Sequence, residues 1–94
     1  MQQVFTLPGT LTISNVQQVK NDLLKFLDSE VLNSEFIVDS VALEIVDATG
    51  LQLLIVASRS FEKKGCSFQL KNISPVLQQL LELSGAADLI EIAE

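Results

Sequence analysis

Three stretches of this chain carry apolar residues at helical spacing, and short β-like runs stand before, between and after them. This alternation constrains the fold more than any other feature. Strands separated by whole helices cannot close into hairpins; they pair in parallel through crossovers. The pattern predicts an α/β fold, a mixed and mostly parallel β-sheet with helices packed on it, in the order β-β-α-β-α-β-α-β. At 94 residues the chain can bury one core, so residues 1–94 are expected to form a single domain.

The opening "QVFTLPGTLTI" reads as two short strands, cored by Val4 to Leu7 and Leu11 to Ile13, around a turn at Pro8-Gly9. Val16, Val19, Leu23, Leu24 and Leu27 then make one helical face. Ser14 and Gln17 have capping-box spacing, which predicts a helix from Ser14 to Asp28. Phe36-Ile37-Val38 suits a buried strand, ended by Asp39 and Ser40. Val41 to Val46 is a further apolar stretch leading into Asp47.

Residues 49–64 are ambiguous at their centre, because Leu53 to Ala57 alone would pass for a strand. Length favours a helix, as do the Thr49/Gln52 capping spacing and the ending Lys63-Lys64-Gly65. "CSFQLKN" follows as a strand, with Cys66 as a small buried hydrophobe. "SPVLQQLLELSG" has a Ser cap, Pro at the first helical position and Gly at the stop. "LIEIAE" alternates as a short last strand.

Composition narrows the chemistry. The chain has no His, Tyr or Trp, and its net charge is −6. There is no imidazole base or metal ligand and little surface for stacking bases. An acidic balance disfavours nucleic acid and anionic membranes. No phosphate loop, nucleophile elbow or cation-binding loop is present, so the expectation is a non-enzyme with no cofactor and no metal. The longest apolar run, Leu53 to Ala57, is too short to span a bilayer, and "MQQVFTLPGT" has no signal-peptide pattern. A cytoplasmic protein, monomeric or weakly dimeric, is expected.

The step Asp47-Ala48-Thr49-Gly50 interrupts two very apolar stretches. It has two readings. Asp and Thr cap helices and Gly permits close backbone approach, so it makes a well-capped turn. It also displays a hydroxyl at a helix start, where a phosphate would add about −1.5 to −2 charges beside Asp47. If Leu51, Leu54, Ile55, Ser58 and Phe61 form the core face of this helix, Leu53 and Val56 lie off it. Such residues mark either a partner surface or a helix packed on two sides.

The whole chain resembles the STAS domain family of sulfate transporters and anti-sigma factor antagonists. The most specific part is "VDATGLQLL", similar to the antagonists' Asp-Ser-Ser/Thr-Gly-Leu between a strand and a helix. Gly9-Thr10-Leu11-Thr12 resembles the family's early Gly-x-Leu-Asp, and "LLELSGAADLIEI" its last helix and strand. The resemblance implies that Thr49 is the phosphorylated hydroxyl. It implies that Thr12, Asp47, Ala48, Thr49 and Gly50 lie against an anti-sigma factor kinase or another signalling protein. Ala48 stands where the family has a first hydroxyl, and Thr12 where it has an acid.

Three functions follow as expectations. The first is a phosphorylation-switched protein-binding module of the anti-sigma factor antagonist type. The second is a constitutive adaptor in a chemosensory complex or an ABC-type lipid transporter, using Leu53 and Val56. The third, a nucleotide or lipid binder, has no supporting residue of its own.

Overall fold

The computed structural model describes residues 2–28 and 35–93. Strands β1 (Gln2–Thr6), β3 (Glu35–Asp39), β5 (Ser67–Lys71) and β6 (Glu91–Ile92) form one sheet in that spatial order, and every neighbouring pair is parallel. Strands β2 (Thr10–Leu11) and β4 (Ile45–Val46) form a separate parallel pair. Helices α1 (Val16–Asp28), α2 (Ala48–Lys63) and α3 (Pro75–Ser84) supply the crossovers.

The α/β class and the parallel sheet are as expected, and two local expectations change. The strands on either side of Pro8-Gly9 do not pair with each other. The Gly9 carbonyl instead accepts from the N–H groups of Glu44 (2.7 Å) and Ile45 (3.0 Å), which draws β2 out of the main sheet towards β4. The stretch 36–46 also holds two strands rather than one. Asp39 Oδ1 accepts from the Val41 N–H (3.0 Å), and buried Ser40 Oγ donates to the Asn72 carbonyl (3.3 Å), so the chain turns off the sheet there. β4 is therefore an additional element in the predicted order.

Helix starts follow local hydrogen-bond supply. The Ser14/Gln17 capping box does not form. The Thr12 carbonyl accepts from Asn15 and Val16 N–H groups (3.0 and 2.9 Å), Ser14 Oγ pairs with Thr12 Oγ1 (2.7 Å), and Gln17 reaches forward to Asn21. α1 accordingly begins at Val16. For α3, Ser74 Oγ accepts from Leu77 N–H (3.4 Å), Pro75 fills the first helical position, and Gly85 stops the helix at φ 74°. The stretch 53–57 is helical, inside α2.

All five phenylalanines lie in one cluster beneath α1 and α2. Phe36 of β3 stacks on Phe61 of α2 at 4.4 Å between ring centroids. Phe68 of β5, the partner of Phe36 across the strand pair, lies 5.4 Å from Phe61. Phe26 of α1 touches Phe36, and Phe5 of β1 meets Phe26 edge-on. Five elements thus share one aromatic contact set. Each such pair contributes about 0.5–1.5 kcal/mol beyond its buried area. Cys66 is buried beside this core, as expected.

Phe36 is fully buried at the centre of the cluster. Phe36→Ala is expected to cost about 3–5 kcal/mol, read as a lower urea midpoint at unchanged slope. Half-buried Phe5→Ala should cost clearly less. Equal losses would mean that the cluster has no centre.

Candidate functional site

The Asp47-Ala48-Thr49-Gly50 step is built around one carboxylate. Asp47 leaves β4 in an extended conformation and is the residue that caps α2. Its Oδ1 accepts from the Gly50 N–H (2.9 Å), satisfying a donor that the first helical turn leaves unpaired. Its Oδ2 accepts from the Ile13 N–H (3.0 Å) in the loop between β2 and α1. Its own N–H donates to the Leu11 carbonyl (3.3 Å). One side chain therefore joins the start of α2 to the segment that precedes α1. The cap is Asp47, not the Thr49/Gln52 box, because Thr49 already lies inside the helix.

The N–H donors on the carboxylate, Gly50 first and Ile13 next, hold the Asp47 pKa below its ordinary 3.8. Asp47 is ionised at neutral pH and adds a fixed negative charge beside Thr49.

Gly50 is required by close approach rather than by an unusual φ. A Cβ there would run into the Leu11 carbonyl oxygen and would lie 2.9 Å from Leu11 Cγ. The helix start rests directly on the backbone of β2.

Around this clamp, Ala48 is exposed and Thr49 is half-buried as the second residue of α2. Thr12 is half-buried, with its hydroxyl held by Ser14. Five of the expected residues, Thr12, Asp47, Ala48, Thr49 and Gly50, are thus brought together. Leu53 and Val56 are not part of this group. Leu53 was expected off the core face, but it is only 9% exposed because α1 covers it; Val56 is 47% exposed beside that helix. A second packed helix, not a partner, accounts for Leu53.

Two contributors went unread in the sequence. Ile13, expected in a strand core, is 75% exposed next to Asp47. Asn15 braces the loop, donating from Nδ2 to the Thr10 carbonyl (2.7 Å) and accepting the Thr12 N–H at Oδ1 (2.9 Å). The run Thr12-Ile13-Ser14-Asn15 has the polar side chains that fold back on local backbone, and that was the available sign.

The site brings two half-buried threonine hydroxyls beside exposed Ile13, and among the described residues no base is paired with either hydroxyl. Among the described residues, no group of His, Cys, Asp and Glu is placed to hold a metal. No helix among them is long and apolar enough to cross a membrane.

A family model described as "Mlab, STAS domain" matches residues 2–91. The chain belongs to the STAS domain family. RsbS of Moorella thermoacetica is 29% identical, with 98% of this chain and 78% of that one covered at a TM-score of 0.77. SpoIIAA, an anti-sigma factor antagonist of Bacillus, is 22% identical over 99% of this chain in both its unphosphorylated and phosphorylated forms. The TM-scores are 0.77 and 0.71, with 80% and 83% of those chains covered. A sulfate transporter family protein of Wolinella succinogenes is 23% identical, with 97% and 75% covered and a TM-score of 0.77. No curated protein matches. The STAS fold accounts for the element order and for the strand-to-helix placement of Asp47 and Thr49.

Two variants test the clamp. Gly50→Ala is expected to lower thermal stability. An alanine gains up to about 1 kcal/mol of helix propensity, but here its Cβ meets backbone that cannot give. A higher melting temperature would show that α2 moves freely off β2. Asp47→Asn keeps an acceptor for Gly50 but turns an NH2 group towards the Ile13 N–H. Folding lowers the Asp47 pKa, so its stabilisation is full above 3.8 and is lost as pH falls through the lower folded value. Urea unfolding should show wild type above Asp47→Asn at neutral pH, with the gap closing below pH 3.8. A gap that does not change with pH would remove the carboxylate from this role.

Proposed function

We propose that this STAS domain is a regulatory protein-binding module of the anti-sigma factor antagonist type, switched by phosphorylation of Thr49. It works in the cytoplasm against an anti-sigma factor kinase or another signalling protein. It acts by binding rather than by catalysis. The observation that carries this reading is the placement of Thr49 in the first turn of α2, beside a carboxylate whose two oxygens are already occupied.

The partner kinase transfers the terminal phosphoryl group of ATP to Thr49 Oγ1. The O–P bond forms, the bond to ADP breaks, and the hydroxyl proton leaves to a base of the kinase. The phosphate adds about −1.5 to −2 charges. The Gly50 N–H that would otherwise receive it is held by Asp47. The new charge therefore stays at the surface, next to exposed Ile13 and Ala48. A partner packed on those apolar groups then has to desolvate a dianion, and the complex dissociates.

The second reading is a constitutive adaptor in a chemosensory complex or an ABC-type lipid transporter. Exposed Val56 favours it, since that side chain lies outside the Asp47 clamp. Val56→Asp is the suitable probe of it, because Leu53 is buried and its replacement would disturb the core.

Binding to the kinase-type partner should weaken by at least about tenfold in Thr49→Asp and persist in Thr49→Ala. Intact mass of protein from its native cells should show one phosphate that the Thr49→Ala variant lacks. Equal affinity in wild type and both variants, with no phosphate found, would replace the switch by the adaptor.

A further inference from the structure

Positive charge is unevenly placed on this acidic chain. α1, α2 and the Lys64 that ends α2 carry five of the six cations but only three of the twelve acidic residues. Lys25 is paired with Asp22 at 3.9 Å. Lys20, Arg59 and Lys63 are exposed and make no ion pair among the described residues. On α2, Gln52, Val56, Arg59 and Lys63 recur at helical spacing along one solvent-facing stripe. On α1, Lys20 and Leu24 share a stripe in the same way, and Leu24 is 39% exposed. Between the helices runs an apolar groove of about 60 Å³, floored by Leu23, Leu27, Leu53 and Phe61. Small-molecule pockets are usually about 300–1,000 Å³, so this groove accommodates side chains and not a metabolite.

We propose that the α1–α2 face docks an acidic amphipathic helix of a partner protein. The helix lays its apolar stripe over Leu24 and Val56, and its carboxylates meet Lys20, Arg59 and Lys63. This is helix-in-groove recognition with a charged rim that selects the partner. A bilayer fits less well. The net charge of −6 repels an anionic surface, whereas a single helix touches only the basic face. Leu24 and Val56 are also half-exposed on either side of a recess and form no wedge to enter lipid. Val56 lies seven residues beyond Thr49, about 10 Å along the helix, so this face is separate from the phosphorylation surface and does not rest on it.

The test uses a synthetic helical peptide of about four turns, with leucines on one stripe and glutamates flanking them. It is titrated into isotope-labelled protein and followed by amide chemical shifts. Shifts are expected at Lys20, Leu24, Val56, Ser60 and Lys63. Affinity should fall by at least about tenfold in the double variant Lys20→Glu, Arg59→Glu, two exposed positions away from the helix ends, with the melting temperature measured alongside. Thr49→Asp should bind the peptide as wild type does, which separates this proposal from the phosphorylation switch. Four results would overturn it: equal binding of a peptide with lysines in place of glutamates, unchanged affinity in the double variant, shifts confined to other surfaces, or sedimentation with phosphatidylglycerol vesicles without peptide binding.

Discussion

The Asp47 carboxylate holds the functional end of this molecule together. One oxygen satisfies the first turn of α2 and the other holds the loop before α1. Without it, the start of α2 and the loop before α1 would lose their side-chain link, and only the β2–β4 backbone hydrogen bonds and apolar contact would hold this end together. Beneath it, Gly50 lets α2 sit on the backbone of β2, so the carboxylate closes a contact that is already tight. The clamp and the contact depend on each other: the short distance sets the hydrogen bonds, and the hydrogen bonds keep the distance short.

This geometry bears on how a switch can work here. A helix seated on packed backbone and capped by a carboxylate that also accepts from the Ile13 N–H has little freedom to rearrange. A phosphate added at Thr49 acts first on surface charge and not through movement of α2. The aromatic cluster reinforces this. It ties the other half of α2 to β3 and β5 through Phe61, so the helix is fixed along its length.

Much of the architecture was legible because local chemistry and long-range packing agree. Ser74, Pro75 and Gly85 mark α3 in sequence and in structure alike. Asp39 and Ser40 end their strand as expected, and the parallel sheet follows from helices placed between strands. The misreadings come where another partner, in a neighbouring turn or in a second helix, replaces the expected one. Ser14/Gln17 and Thr49/Gln52 have the right spacing, but Thr12 and Asp47 supply better acceptors across a turn. Leu53 looks surplus on a single helical wheel because the wheel does not contain α1. Ile13 looks like strand core because its alternation ignores the loop that Asn15 braces. At the site, the residue types of the Asp-Ala-Thr-Gly step were readable, while the role of Gly50 needed the position of Leu11.

The all-parallel sheet has a further consequence, for the order in which the chain acquires structure. β1 pairs with β3 and β3 with β5, joining Gln2 to Glu35 and Glu35 to Ser67. No strand in this sheet can find its neighbour until a complete helical crossover lies between them. Among the described residues no hairpin nucleates it, and long-range pairing of this kind slows folding relative to a helical bundle of the same length. During synthesis, β1 waits for the whole of α1 and β3 before its backbone is paired. The uncharged segment Gln2–Thr6 thus leaves the ribosome with both strand edges unpaired.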